Sequence, residues 1–467
     1  MNPRVRVSII IAAIIVLAYP LAAWVIGLVV EGQMQRGEQR ALEAAPYIVL
    51  IQRNYHRGFY VATEDLTYGL GGVFARMRRD TAGKALSAFR LSIHNTIHHG
   101  PWPQFHGMAL AAVDTELVLP RELRARLKGA PEGMPLLAVH TRMGWFGSHS
   151  ITVTSPAFEL QLPQGGMLSS RGIHGTAEST RNMALWTTDL TAPGFAVRNE
   201  KFDAQLEELQ MKAAMRRVYA TLNIGSAKLR IARIAVQTPT PGGSLSLQQS
   251  SIDSTSSVSG DFVDMKAQIT VAAAHAGTFN ATRLGYAYGF SHVHGPSLAA
   301  LMEGIRAASR DAYADAAGLT RTSARVTFPS QQKMLDAFRK DGVEMLLHDP
   351  EFDISRIGFV MPEGEFRLSA KATAPGLKRE DFQGPAAVTV AAIARHLELA
   401  ADMHADTALV EKLLQDTAHH DQFAAQLADL ERQGFLKRGG TALTAHVVFH
   451  GGKLSVNGQS FPSGRPQ

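Results

Sequence analysis

Ser8–Val30 reads SIIIAAIIVLAYPLAAWVIGLVV, 23 residues without a formal charge. As a helix rising about 1.5 Å per residue it would extend roughly 35 Å, enough to cross the hydrocarbon core of a bilayer with some tilt. Pro20 removes one backbone donor, which membrane helices tolerate. Trp24 stands near the far end, where an indole suits the boundary with water. A cleaved signal peptide would carry an apolar run of about 7–15 residues followed by a small-x-small site. Here the run is longer, and Ala22-Ala23 follow Pro20-Leu21. One uncleaved transmembrane helix over residues 8–30 is therefore expected.

Outward from that stretch, Arg4 and Arg6 are the only charges on the N-terminal side, and Glu31, Arg36, Glu38, Arg40 and Glu43 follow it. The positive-inside tendency leaves residues 1–7 as a cytoplasmic tail and sends 31–467 to the other side. Glu31–Ala45 (EGQMQRGEQRALEAA) has helical composition and predicts a stalk helix over 31–46. Pro46 ends it, because the residue before proline is pushed towards extended geometry.

The rest of the chain is rich in strand signals. YIVLIQRNY (47–55) reads as a strand, with Arg57-Gly58 turning into another from Phe59. Phe89, Leu91, Ile93, Asn95 and Ile97 alternate with Arg90, Ser92, His94, Thr96 and His98, the period-2 pattern of a half-buried strand. Shorter strands are expected at 136–143, 150–161, 229–237, 243–249 and 264–272, with Gly-Gly turns at 165–166 and 242–243. Leu298, Leu301, Met302 and Ile305, then Met334, Leu335, Phe338 and Leu346, recur at helical spacing and predict a helical insertion over 297–350. It divides a β-rich region, 47–296, from a C-terminal β region, 351–467. The latter carries a turn at Pro362-Glu363-Gly364, helices near 403–415 and 420–433, and a closing hairpin of Thr441–Phe449 with Lys453–Val456. The fold class is α+β: one transmembrane helix and a large, mostly antiparallel body.

Composition is that of a globular chain, 45% hydrophobic and 19% charged over 467 residues. The net charge of +6 is dispersed among acids and does not mark a nucleic-acid surface. Cysteine is absent, which excludes disulfides, thiolate catalysis and Cys-based metal centres and suits an oxidising space.

Four motifs together resemble the YdgA-like family of bacterial envelope proteins. They are NYHRGFY (54–60), HHGPWP (98–103), RMGWFG (142–147) and the closing GFLKRGGTALTAHVVFHGGKLSVNGQSF (434–461). The family often continues its Arg-Gly turn with paired serines, where this chain has Val61-Ala62-Thr63. The resemblance implies an inner-membrane protein whose body faces the periplasm, and it implies no reaction. It points to Tyr55, Arg57, Gly58, His99, Gly100, Pro101, Pro103, Arg142, Gly144, Gly147, Gly452, Asn457 and Gly458, for which structural roles are favoured. Arg57 could meet a phosphate or carboxylate bidentately. The plainer reading is a turn in which Gly58 takes a positive φ and Tyr55 packs on the sheet. Gly100, Pro101 and Pro103 read as a rigid corner around Trp102.

Eighteen histidines raise the question of metal. His94 and His98 are about 13 Å apart along one strand, too far to share an ion without a bend. His106 lies nearby, and His292 with His294 and His419-His420 beside Asp421 are better spaced, yet no HExxH occurs. Ser330-Gln331-Gln332-Lys333 matches Ser-x-x-Lys but lacks the companion Lys-Thr-Gly and Ser-Asp-Asn motifs, so an N-cap serine is the simpler account. No metal or cofactor is expected. The expectation is a non-enzymatic envelope protein that binds lipid or another hydrophobic ligand; a scaffold for another envelope protein is the alternative, and a periplasmic hydrolase the third.

Overall fold

The computed structural model describes residues 3–45, 48–70, 90–105, 107–129, 134–162, 165–181, 184–219, 222–240, 243–318, 329–415 and 420–461. Side chains are described for these except at 3–18, 43–44, 105, 122, 310–318, 329–332, 386–387 and 420–421. The chain forms two compact units, Met1–Phe195 with Ile305–Lys333, and Ala196–Gly304 with Met334–Gln467. It is a strand-rich antiparallel body with a few helices, as the alternation patterns require.

The first unit opens with helix α1 (Pro3–Ala44), continuous through Pro20, so the expected span and stalk are one element. No helix among the described residues is long and apolar enough to cross a membrane, and Ser8–Ala18 of the expected span lies outside those with described side chains. Ile26, Val30 and Met34 repeat at helical spacing and meet Ala62, Ile97, Leu110, Ala111, Val113, Met143 and Tyr55 in one cluster, and Ala23 one turn earlier is also buried. The last third of the uncharged stretch is thus core on one face, which differs from a segment surrounded by lipid. Each fully buried Ile or Val contributes about 1.5–3 kcal/mol.

The strands of this unit are β1 (Ile48–Arg57), β2 (Val61–Leu70), β3 (Arg90–His99), β4 (Ala111–Val118), β5 (Leu127–Lys128), β6 (Ala138–Met143), β7 (His149–Ser155), β8 (Phe158–Gln161), β9 (Met167–Ser170), β10 (Ile173–Ser179) and β11 (Leu185–Arg198). They pair antiparallel in the order β1–β2–β3–β4–β6–β7–β10–β11, and β5, β8 and β9 form a short antiparallel branch. In β3, Asn95, Ile97 and His99 are buried, the face anticipated from the alternation at 89–98; Phe89 itself lies outside the described residues.

The second unit is a long meander: β12 (Asp203–Val218), β13 (Leu222–Gln237), β14 (Ser244–Ser259), β15 (Phe262–Ala276), β16 (Phe279–His294), β17 (Glu351–Met361), β18 (Gly364–Thr373), β19 (Glu398–Asp406), β20 (Lys437–Gly439), β21 (Ala442–His450), β22 (Lys453–Val456) and β23 (Gln459–Phe461). Neighbours pair in sequence order from β12 to β19, and β21 then joins β19. DAQLEELQMKAAMRRV (203–218) is made largely of good helix formers, and no strand was anticipated there. Its Leu209, Met211, Ala213 and Met215 nevertheless alternate with Glu208, Gln210, Lys212 and Ala214, and pairing with β13 decides the outcome.

Glu208, Gln249 and Arg283 take left-handed φ of 50°, 48° and 51° and stand unpaired in one row with Ala232 and Ala272. Five neighbouring strands therefore each leave one residue out of the pairing at the same level, and the register resumes beyond it without a shift. A hollow of about 660 Å³ follows this row and is lined by Gln210, Arg230, Ser251 and Thr270 of the polar face.

The helical insertion is helical over Gly295–Gly318, Pro329–Ala337 and Val343–Leu346, with a wider turn at Phe338–Gly342; residues 319–328 lie outside the described set. Two expectations in the C-terminal region are corrected. Ala386–His396, placed in a β region, is a helix, because Pro385 pre-sets its start and the Ala-rich run that follows favours it. Residues 403–406, placed in a helix, end β19, and the helix begins at Thr407. The helices Thr407–Gln415 and His420–Arg432 follow.

Candidate functional site

Register locates four of the first unit's turns at one end. The Tyr60 carbonyl accepts from His99, which sits opposite Ala111, then Met143, His149, Ser179 and Trp186 in turn. The connections 58–60, 100–110, 144–148 and 180–184 all close this edge. Three of them carry the sequence motifs, and their tips are apolar and open. Phe59 is 63% exposed and Phe146 77%, with Tyr60, Trp102, Met108 and Trp145 also exposed. Tyr19 of α1 stacks between Tyr60 (5.9 Å) and Trp102 (6.2 Å), so the helix leaves the sheet at this edge.

His99 and two glycines make the helix seat. His99 is 2% exposed, and its Nδ1–H donates to the Ala23 carbonyl at 3.0 Å, while Nε2 is buried without a hydrogen-bond partner among the described residues. Burial holds its pKa below the ordinary value. A Cβ at Gly27 would lie 2.8 Å from the His99 ring, and one at Gly100 (φ 135°) would lie 3.3 Å from Ala23 Cβ. Gly27, a residue unmarked within the apolar stretch, is thus the space the imidazole needs.

Arg57 is ion-paired with Glu31 of α1, holding the helix to β1. Gly58 does not take the positive φ anticipated for it; a Cβ there would lie 2.2 Å from the Val61 carbonyl oxygen, so crowding requires the glycine. Tyr55 does pack on the core, with its buried hydroxyl unpartnered among the described residues and its pKa raised by burial. Arg142 donates to the Met108 carbonyl and lies against Gly107 (φ 94°), so it braces the 100–110 loop. Pro103 and Arg142 line a hollow of about 260 Å³ with Gln104, Ala112 and His140. Pro101 belongs to the same corner. Gly144 sits against Ser148, and Gly147 (φ 74°) closes the 144–148 turn.

Deeper beneath the helix lies a polar network that no motif announced. Glu64, 2% exposed, is 2.7 Å from Arg53 Nη2 and accepts from Asn95 at 2.8 Å; Thr115 donates to Asn95 at 2.7 Å. Arg53 also approaches Glu38 of α1 at 3.7 Å, and Tyr68 donates to Glu38. Burial raises the pKa of Glu38.

In the second unit the chemistry is a surface. Met211, Leu229, Ile252, Ile269, Tyr286, Ile357, Leu368, Met403 and Ala445 are consecutive cross-strand neighbours over nine strands. The adjoining row on this face includes Ala267, Tyr288, Ile354, Ala370, Ala401 and Val447. None of the nine is fully buried, and Ile252 is 42% exposed. The opposite face is polar, as in the row Lys212, Lys228, Asp253 and Gln268. Leu409 of helix Thr407–Gln415 packs with Met361, Phe359 and Phe366, covering one end of the sheet.

The closing motif is structural. Asn457 (φ 53°) and Gly458 (φ 82°) form the two-residue turn between β22 and β23, as Gly451-Gly452 does between β21 and β22. The Asn457 side chain accepts from His446 N–H and donates to the Gly434 and Phe435 carbonyls.

Among the described residues no group of three or more His, Asp or Glu is placed to hold a metal ion. His94 pairs with Asp65 at 2.8 Å, and His294 stacks face-on with His348 at 3.9 Å. His106, His419 and the side chains of Ser330, His420 and Asp421 lie outside the described residues.

No curated protein and no solved structure matches the chain. A family model described as a bacterial protein of unknown function matches residues 1–463, and the chain belongs to that family, DUF945.

Proposed function

We propose that the chain is a non-enzymatic, membrane-anchored protein of the bacterial envelope that binds the acyl chains of lipid on the apolar face of its second unit. The nine-strand apolar row carries this reading. An alternating strand has one face to bury, and a large apolar surface left half-covered on a folded protein marks an interaction site.

The anchor in this reading is the N-terminal part of α1. Its uncharged run flanked by Arg4 and Arg6, and the likeness to YdgA-like envelope proteins, support a cytoplasmic tail, an inner-membrane helix and a body in the periplasm. The test is to purify the full chain from membranes in mild detergent and identify bound molecules by native mass spectrometry. Lipid near one equivalent or more is expected, and it should fall severalfold with Ile252→Glu and Ile269→Glu together. A lipid-free chain that captures one protein repeatedly would instead favour the scaffold reading.

A further inference from the structure

We propose that the turn edge of the first unit is seated in the interfacial layer of a lipid bilayer, with Phe59, Tyr60, Trp102, Trp145 and Phe146 entering it. This rests on the anchor reading above and specifies how the body meets the membrane.

Length makes the first case. The uncharged stretch is 23 residues, yet Ala23, Ile26 and Val30 are buried against the sheet. Only Ser8–Ala22 precede that seat, about 22 Å of helix against a hydrocarbon core of about 30 Å. The missing length is recovered if the helix enters the bilayer together with the edge of the sheet it is packed on. Its outward face at that level is Leu21, Trp24, Val25, Leu28 and Val29, all exposed and apolar. The first charge after them, Glu31, is paired with Arg57, where charge first appears on the sheet beside the turn.

Composition of the edge makes the second, independent case. Of the four tryptophans of the chain, Trp24 lies on the helix beside this edge, Trp102 and Trp145 on its turns, and Trp186 at the near end of β11. The turn residues 58–60 and 144–148 carry no charge. Tryptophan and tyrosine collect at membrane interfaces because an amphipathic ring is satisfied there on both sides. A protein partner would also accept exposed aromatics, but a helix that continues for sixteen residues from Tyr19 back to Pro3 leaves through the middle of the cluster, which fits a bilayer.

The absence of cysteine permits a direct test on the full chain. A nitroxide is attached at Phe146→Cys, or for comparison at Met134→Cys, an exposed position in the connection closing the opposite edge. Each chain is reconstituted in phosphatidylcholine vesicles. At 146 the label should be more accessible to oxygen than to an aqueous nickel chelate, and at 134 the order should reverse. Equal nickel access at both positions in a chain that floats with the vesicles overturns the seating and leaves the anchor standing. A chain that fails to float overturns both. Helical circular dichroism and an unchanged melting temperature certify that each labelled chain is folded.

Discussion

The first unit lays a helix across its sheet, whereas the second leaves most of a longer sheet face half-open. Beneath α1, Ala62, Ile97, Ala111 and Val113 are buried. The equivalent cross-strand row in the second unit, from Met211 to Ala445, contains no fully buried side chain. Both sheets obey the same alternation, so the difference lies in what each face meets. One apolar face is spent on holding the fold together, and the other stays half-exposed. Mutations should therefore separate stability from binding.

The largest separation is expected at Ile97→Ala. Its side chain is wholly buried at the helix seat, and such truncations cost about 2–5 kcal/mol. Hydrogen exchange in β3 and β4 should accelerate accordingly. Ile269→Ala, 36% exposed in the second unit, should cost about 1 kcal/mol while lowering bound lipid. Equal stability losses at the two positions would break the comparison.

Glu64→Ala comes next, at about 2–3 kcal/mol, because Arg53 and Asn95 lose the carboxylate they share in a dry site. Arg53 keeps its approach to Glu38, which limits the loss. A denaturant series on the full chain reads it, with the loss confined to the first unit's amides.

Asn457→Ala sharpens the other side of the comparison. It removes three side-chain hydrogen bonds and, glycine apart, a residue type well suited to a left-handed φ, for about 1–2 kcal/mol. The loss should stay within β21–β23 and the 434–435 segment that Asn457 holds, and leave bound lipid unchanged.

These sites differ in how far they could be read from sequence. Alternation over 89–98 revealed the buried face of β3, because it depends on near neighbours in the chain. Glu64 gave no sign, since its partners come from β1 and β3 and its neighbour Asp65 has the same charge and points outward. Asn95 was legible as a buried position and illegible as a hydrogen-bonding one. The residues of β12 favour a helix in isolation, and fifteen registered pairs with β13 overrule them. Gly27 was hidden for a related reason. A glycine in an apolar helix has no evident purpose until the His99 ring is found against it.

The smallest expected effect is a pH dependence of the helix seat. Burial depresses the His99 pKa, opposed by the Ala23 carbonyl and assisted by the charges of Arg57 and His98. Folding therefore prefers the neutral ring. Above about pH 6.5 the imidazole is neutral in both folded and unfolded chains, and it contributes no slope. Below that, the unfolded chain takes up a proton that the folded one resists, so stability falls until the depressed folded pKa is reached. Each unit of depression is about 1.4 kcal/mol. His149 in the same unit is also depressed by burial, and His294 in the second unit by burial and by His348, so a wild-type acid slope alone assigns nothing. His99→Gln isolates the seat. It should lower stability at every pH, since the ring no longer fills the space beside Gly27, and it should flatten the slope below pH 6.5 for amides of β3 alone. An unchanged slope there would mean that His99 is protonated in the folded chain, and the close packing of α1 on the sheet at Ala23 and Gly27 would have to loosen to admit the charge.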